Sequence, residues 1–310
     1  MADKDTITKE YMQNKATFAD AFNFFLYDGK DVIKPEQLRP LDTTAIALPY
    51  SDGGKPSPVQ KYRDVLKMVT AMSDGNAAYL ILGIENQSDI HYAMPVRNML
   101  YDALQYAAQT DDIAKEHRRV NDKAHTSAEF LSGFYGNDKL LPVITLTILW
   151  NGDEWTALRS LFDMLTVEDK SILRFMSDYK LNLISPAEIS DDELDKLKTE
   201  LRIALKCLKH SNDPDELASL VSRDAQFTDV SKDTAILLND VAGFNIEIES
   251  GKERFNMCKA IEGLQARARE EGILDTLIGL VKKGLLSIAQ AAEQANMTIE
   301  EFEAKTGLKA

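Results

Sequence analysis

The sequence predicts an α/β unit followed by an all-α C-terminal region. Two strongly apolar, β-rich segments, at 77–87 and 141–150, predict strands that are buried on both faces. Helical spacing of apolar residues before and between these segments predicts helices that pack on the strands. After about residue 166 the strand signals fade while helical periodicity continues, so the rest of the chain is expected to be helical.

The first strands are expected to form a hairpin. The segment ATFADAFNFFLY at 16–27 predicts a helix, which the following Asp-Gly pair ends. The segments KYRDVLKMV at 61–69 and AAYLILGIENQ at 77–87 then flank the turn-forming residues SDGN at 73–76. This order predicts two antiparallel strands that bring residues of the first opposite residues of the second.

A helix, a second buried strand and a short helix are predicted next. Pro95 opens an amphipathic segment, where its fixed φ favours a helix start. The segment LPVITLTILW at 141–150 predicts the strand, and 155–165 the short helix. Near the C-terminus, Ser287 and Thr298 are expected to cap two short helices, and a Glu three residues after Thr298 completes a capping box.

Composition excludes several classes of protein. The two cysteines form no CxxC pair, which excludes a disulfide scaffold and a thiolate zinc site. The formal net charge is -14, and residues 151–250 hold 11 Lys+Arg against 21 Asp+Glu, so this part is a poor surface for DNA. The polar N-terminus and the lack of an apolar stretch of about 20 residues predict a cytoplasmic protein without a membrane partner.

Acidic and amide side chains meet at the predicted hairpin. Glu85 and Gln87 end the second strand and project from one face, and pairing can bring Asp64 of the first strand opposite them. Two converging carboxylates repel each other unless a cation or a proton intervenes, and such oxygen ligands suit Mg²⁺. A bound Mg²⁺ can polarise a scissile phosphate and activate a water. Residue types alone favour the alternative that these carboxylates are solvated strand ends.

Residues 14–165 resemble the recombination-promoting nuclease/putative transposase family of the PD-(D/E)XK nuclease superfamily. Members show an Asp in one strand, an apolar strand ending in Glu-x-Gln-Ser, and a helix with Met/Phe-x-x-Arg followed by an aromatic residue at the next turn. The corresponding positions are Asp64, Glu85-Asn86-Gln87-Ser88, Met94-Pro95-Val96-Arg97 and Tyr101. FADAFNFFLYDG and LPVITLTILWNGDEW are similar to the family's opening helix and its next core strand.

The resemblance implies a metal-dependent DNA endonuclease with a mixed sheet flanked by helices. Asp64 and Glu85 would bind Mg²⁺, for which Mn²⁺ can substitute, with help from the Asn86 backbone carbonyl. Gln87 would complete the catalytic set at the place where the wider superfamily has a lysine. Lys15 stands where the family's first helix often carries an acidic residue.

Five residues are predicted to bind DNA. Arg97 and Tyr101 lie at i and i+4 on one helix face, and Arg suits the geometry of a phosphate. Lys61, Arg63 and Lys67 surround Asp64 and supply local cations. The alternative for Arg97 is a surface ion pair with Asp102 or Asp89.

These patterns predict three regions. Residues 1–165 are expected to form a PD-(D/E)XK-like nuclease domain, 166–272 an acidic helical region, and 273–310 a helical tail with helix-turn-helix-like spacing. The tail carries an apolar stripe that predicts either packing on the chain's own helices or a homodimer. The stripe consists of Leu274, Leu277, Val281 and Leu285.

Three functions compete on this evidence. The first is a DNA endonuclease associated with recombination or mobile elements. The second is a catalytically weak or inactive binding module of a mobile element or defence system, and the Asp64/Glu85 pair favours the enzyme over it. The third is a transcriptional regulator that contacts DNA through the C-terminal helices. The second of these short helices carries acidic residues that would repel a phosphate backbone. This charge argues against a role as a transcriptional regulator.

Overall fold

The computed structural model describes residues 4–41, 44–46, 50–52, 55–57, 60–62, 65–72 and 77–308. The chain divides into two compact units: unit 1 comprises Met1–Lys209 with Ile236–Ala242, and unit 2 comprises His210–Ala235 with Gly243–Ala310. Contacts of unit 1 extend past the predicted domain boundary at residue 165.

The secondary structure is mixed α/β. The helices are α1 (Lys4–Gln13), α2 (Lys15–Tyr27), α3 (Met94–Arg119), α4 (Ser127–Ser132), α5 (Leu161–Met164), α6 (Asp191–Leu194), α7 (Leu201–Lys209), α8 (Pro214–Arg223), α9 (Lys232–Val241), α10 (Cys258–Lys282), α11 (Ile288–Gln294) and α12 (Ile299–Thr306). The strands are β1 (Leu38–Pro40), β2 (Thr44–Ile46), β3 (Tyr50–Asp52), β4 (Lys55–Ser57), β5 (Gln60–Tyr62), β6 (Val65–Met72), β7 (Ala77–Gln87), β8 (Val143–Leu149), β9 (Asn182–Ile184), β10 (Val230–Ser231) and β11 (Arg254–Phe255).

A five-stranded mixed sheet organises unit 1, in the order β1-β6-β7-β8-β9. Strands β1, β6 and β7 are antiparallel, so the predicted hairpin is confirmed as the pair β6–β7. Strands β7, β8 and β9 are parallel, which requires a crossover, and α3 lies in the connection from β7 to β8.

Strand alternation sends neighbouring residues of β7 to opposite faces of this sheet. Ile84 enters the main hydrophobic core, where it is buried with residues of α1, α2, α7 and α9. Glu85 follows on the other face and meets α3. The polar end of an apolar strand is therefore placed beneath a helix that the sequence also predicted, since Pro95 stands in the first turn of α3.

The end of α2 is confirmed as predicted. Asp28 adopts the left-handed conformation, with φ 54°, and Gly29 follows with φ 75°. A Cβ atom on Gly29 would lie 2.7 Å from Lys196 Cβ, so only glycine fits this turn without displacement. The Lys196 ammonium in turn pairs with the Asp28 carboxylate at 2.5 Å.

Three expectations about elements are corrected. Helix α1 occupies a stretch judged only polar, although Ile7, Tyr11 and Met12 are buried in the core. The short helix expected over 155–165 is confined to Leu161–Met164. Within the segment expected to be all helical, Asn182–Ile184 forms β9 and completes the sheet.

Unit 2 is built mainly from helices. In its C-terminal part, α10 packs with α11 and α12 around Leu277, Ala291, Ala292 and Phe302. Thr298 caps α12 and exchanges hydrogen bonds with Glu301, so the predicted capping box is confirmed.

Candidate functional site

The carboxyl end of β7 places Glu85 inside unit 1, beneath α3. Glu85 is fully buried, and its Cα partner on the parallel strand β8 is Thr147. The guanidinium of Arg97, in the first turn of α3, lies with Nη2 3.3 Å from Glu85 Oε2. A buried carboxylate is thus held beside a cation, which reduces the cost of removing its charge from water.

Arg97 also contacts Tyr101 one turn further along α3. Arg97 Nε donates a hydrogen bond to the Tyr101 hydroxyl at 3.2 Å, and the guanidinium carbon lies 5.7 Å from the ring centre. The Arg97 side chain keeps 35% of its surface exposed, whereas Tyr101 is buried. This ion pair of Arg97 involves the predicted metal ligand Glu85, whereas the sequence suggested Asp102 or Asp89.

A layer of buried polar side chains lies between α3 and β8. Asn98 Nδ2 donates to Thr147 Oγ1 at 2.9 Å. One turn later, Asp102 accepts hydrogen bonds from the hydroxyls of Thr145 and, at 2.6 Å, Tyr179. The i, i+4 spacing on the helix and the i, i+2 spacing on the strand bring these partners together. The layer fixes the rotation of α3 above Glu85.

The amide side chains of the Glu-x-Gln motif are engaged locally. Gln87 Nε2 donates to the backbone carbonyl of Asn86 at 2.8 Å. The Asn86 side chain faces the other side of the sheet, where its Oδ1 accepts from Trp150 Nε1 at 2.8 Å. The backbone carbonyl that the resemblance assigns to a metal ion therefore accepts a hydrogen bond from the neighbouring Gln87 side chain.

An acidic residue of α1 lies near the end of the same strand. Ser88 Oγ donates to Asp5 Oδ1 at 3.2 Å, and Asn151 Nδ2 donates to the Ser88 carbonyl at 2.9 Å. Asp5 was missed because α1 was not predicted. Asp5 stands in the first turn of α1. The resembled family often carries an acidic residue near the start of its first helix, at the position that Lys15 occupies in this chain.

Part of the predicted site lies outside the described residues. Asp64 and Arg63 belong to this part, so the expected meeting of the Asp64 and Glu85 carboxylates stays a prediction. Lys61 lies in β5, where its Cα partner is Ala45.

Lys67 is buried on the core side of the sheet. Its Nζ donates to the Gln13 carbonyl at 2.8 Å and lies 4.5 Å from the ring centre of Phe18. Burial, with a smaller effect of the neighbouring Lys15 charge, lowers the pKa of Lys67 to about 8. The DNA contact predicted for Lys67 would require this side chain to leave the core.

The donor atoms near Glu85 are of the kind that hard cations prefer. Across the described ranges, no group of three or more His, Cys, Asp or Glu is placed to hold a metal ion. However, Asn98 is fully buried, and its Oδ1 has no hydrogen-bond partner among the described residues. A carboxylate, a backbone carbonyl and a free amide oxygen fit Mg²⁺, which takes oxygen ligands and retains water.

Sequence reasoning missed Asn98 and Thr147 as site residues. Asn98 directly follows Arg97, so its position in the motif helix was visible, but a buried amide looks like any polar helix residue. Thr147 was part of the predicted strand 141–150. Only the pairing of Glu85 with Thr147 places Asn98 and Thr147 close to Glu85, and the sequence carries no signal of that register.

Comparison with known proteins identifies the family. The sequence model of the family described as "Putative transposase, YhgA-like" matches residues 57–235, which is more than half of the chain and includes β7 and α3. No curated protein and no solved structure matches the chain. Among the helices that the structure describes, none combines the length and apolar character needed to cross a membrane. On the extent of the family match, this chain is a member of the YhgA-like putative transposase family.

Proposed function

We propose that the protein is a metal-dependent DNA endonuclease that acts in the recombination or transposition of mobile elements. The observation that carries this proposal is the buried carboxylate of Glu85, which stands at the end of β7 in the Glu-x-Gln-Ser motif and beside a partly exposed Arg97. The family description supports a role with mobile-element DNA.

The sheet order supports a PD-(D/E)XK-like core. An antiparallel hairpin, a helix and then a parallel strand follow one another as β6, β7, α3 and β8. The resemblance implies this order around an Asp and a Glu-x-Gln segment. The short parallel strand β9 extends the sheet beyond the part that the sequence resemblance covered.

Asp64 is the proposed second carboxylate. It directly precedes Val65, whose Cα partner is Ile84, the residue before Glu85. Continuing this antiparallel register by one residue would pair Asp64 with Glu85. The two carboxylates and the Asn86 carbonyl would hold Mg²⁺ or Mn²⁺, which when bound would polarise the scissile phosphate.

The remaining site residues have separate proposed roles. The Arg97 side chain is partly exposed and can contact a phosphate, while Tyr101 holds its guanidinium in place. Gln87 would orient water or phosphate as a neutral donor. Lys61 and Arg63 are proposed to contact the DNA backbone, since they lie three residues and one residue before Asp64 along the chain.

A second function has one observation in its favour. The Arg97 guanidinium already compensates the charge of buried Glu85, so the carboxylate is stable there without a metal ion. This arrangement is expected of a DNA-binding module that has lost its activity, and the same assay separates the two functions.

Cleavage of supercoiled plasmid is the test. The protein should nick or linearise DNA with Mg²⁺ or Mn²⁺ and lose this activity with EDTA. Glu85→Gln and Asp64→Asn should abolish cleavage, whereas Glu10→Gln, at an exposed position of α1, should retain it. DNA binding without cleavage under every metal condition would support the inactive module and reject the endonuclease.

A further inference from the structure

We propose that Asn98 is an additional oxygen donor of the Glu85 cation site, held in place by Thr147. This inference rests on the proposed function, because it assumes that Glu85 binds a divalent cation. Neither the motif nor the family resemblance assigns Asn98 or Thr147 a role.

Two neighbouring residues of α3 converge on one point of the sheet. Arg97 reaches Glu85 itself at 3.3 Å, and Asn98 reaches Thr147, the Cα partner of Glu85, at 2.9 Å. Adjacent strands lie about 4.8 Å apart, so the Asn98 amide and the Glu85 carboxylate are close neighbours under the same turn of helix.

The hydrogen bond to Thr147 identifies which atom of the Asn98 amide is engaged and which is left for a ligand. Nδ2 donates to Thr147 Oγ1, so Oδ1 is the atom left over. Asn98 has 0% exposure, and Oδ1 has no hydrogen-bond partner among the described residues. A buried amide oxygen without a partner destabilises the folded protein, so its presence near a carboxylate calls for a ligand.

The ligand that fits is a hydrated divalent cation. An amide oxygen carries no charge to repel Glu85, and it can coordinate Mg²⁺ or accept a hydrogen bond from water that Mg²⁺ retains. Thr147 on β8 therefore holds the Asn98 side chain in position, and Asn98 Oδ1 is the oxygen that coordinates the cation or its water.

Manganese binding, measured by the loss of the free-ion electron paramagnetic resonance signal, tests this role without any activity assay. Asn98→Leu removes the oxygen at similar volume and should weaken Mn²⁺ binding about 10- to 100-fold. Asn98→Asp keeps an oxygen, which Thr147 can still contact through its hydroxyl proton, and should bind Mn²⁺ at least as tightly as the natural chain.

Asn182→Leu is the matched control. Asn182 Nδ2 also donates to β8, to the Thr145 carbonyl at 2.9 Å, but from the neighbouring strand β9. Its loss should change Mn²⁺ affinity less than about threefold, since it removes a sheet contact and no proposed ligand.

If Asn98→Leu does not fold, the Asn98→Asp variant tests the proposal in its place. A third carboxylate should make folding more dependent on metal, so Mn²⁺ should raise the thermal midpoint of Asn98→Asp by more than that of the natural chain. An equal or smaller rise would overturn the inference.

The outcomes separate this inference from the proposed function. Mn²⁺ binding that is lost in Glu85→Gln but unchanged in Asn98→Leu would reject the role of Asn98 and leave the endonuclease proposal standing. Absence of Mn²⁺ binding to the natural chain, or binding that survives Glu85→Gln, would reject the cation site itself and both proposals with it.

Discussion

If Glu85 binds a divalent cation as proposed, Arg97 is the residue expected to affect the affinity for that cation most directly. Its guanidinium lies 3.3 Å from Glu85 and would therefore compete with the proposed divalent cation for the same carboxylate. Close charge pairs couple by about 1.5 kcal/mol or more, which corresponds to roughly tenfold in affinity. The Arg97→Gln variant should bind Mn²⁺ about tenfold more tightly at pH 8 and cleave DNA more slowly.

The control for this prediction is Arg97→Lys, which keeps a positive charge near Glu85. It should bind Mn²⁺ with nearly natural affinity, measured by the same titration. A fall in Mn²⁺ affinity on removal of the charge would show that Arg97 supports the cation site and does not compete with it.

Lys67 gives a pH-dependent prediction. Burial lowers the pKa of Lys67 to about 8, from about 10.5 in the unfolded chain. Between these two pH values the unfolded state binds more protons, so this lysine makes the free energy of unfolding rise with pH. Below pH 8 Lys67 is charged in the folded state as well, and the burial of this charge lowers the free energy of unfolding.

Lys67→Met should remove that contribution to the pH dependence. Urea unfolding at pH 7.5 and 10 measures the free energy of unfolding, and the natural chain should gain more between the two than the variant does. Equal changes would contradict the buried position of Lys67. No sequence pattern marked this residue as buried, because Lys67 follows Asp64 in a segment whose charges suggest an exposed surface.

His117, near the C-terminal end of α3, contacts Asp122, Tyr135 and Asp138 of the following residues 120–138, and we call these contacts the histidine clamp. His117 Nε2 lies 2.9 Å from Asp138 Oδ2, and its Nδ1 lies 3.1 Å from Asp122 Oδ2. The ring stacks on Tyr135 with a centroid distance of 3.7 Å. The Asp138 hydrogen bond, against the opposing effect of burial and with help from Asp122, raises the pKa of His117.

The stabilisation from this clamp should disappear at alkaline pH. It is fully present below the unfolded pKa of about 6.5 and is lost as the pH rises through the raised folded value. Hydrogen exchange in residues 120–138, corrected for its intrinsic pH dependence, should therefore be faster at pH 9 than at pH 6. His117→Gln should exchange equally fast at both, and a natural chain without pH dependence would contradict the clamp.

At the scale of elements, the strength of the local pattern decided what could be predicted. The run AAYLILGIENQ is long and apolar, so β7 and its hairpin with β6 were predicted correctly. Strand β9 has three residues, Asn182–Ile184, and exists because β8 offers it hydrogen bonds. Helix α1 shows too few apolar residues for a strong period, and tertiary packing of Tyr11 on Trp150 stabilises it.

At the scale of the whole molecule, the apolar stripe of the C-terminal tail is buried without a second copy of the chain. Leu274, Leu277 and Val281 pack with α11 and α12 inside unit 2, and only Leu285 remains largely exposed, at 67%. The homodimer suggested by the sequence stays untested. We expect light scattering at micromolar concentration to give the mass of a monomer, and a dimer that dissociates on Leu285→Ser would contradict this expectation.

The site as a whole could be predicted only in part. The Glu-x-Gln-Ser motif and the following helix predicted that Glu85 and Arg97 belong together, since strand and helix ends are local features. The contribution of Asn98 and Thr147 depends on the register of β7 with β8, which are more than 50 residues apart along the chain. Such a pairing follows from packing of the complete sheet and leaves no mark in a short motif.

The proposed divalent cation at Glu85, beneath α3, can be observed in a crystal. Anomalous diffraction from crystals of the full chain soaked in Mn²⁺ measures this directly. We predict one strong peak within coordinating distance of the Glu85 carboxylate, with Arg97 moved away from it, and no such peak in Glu85→Gln. A map without a peak at Glu85, with the Arg97 ion pair still intact, would contradict the proposed cation site.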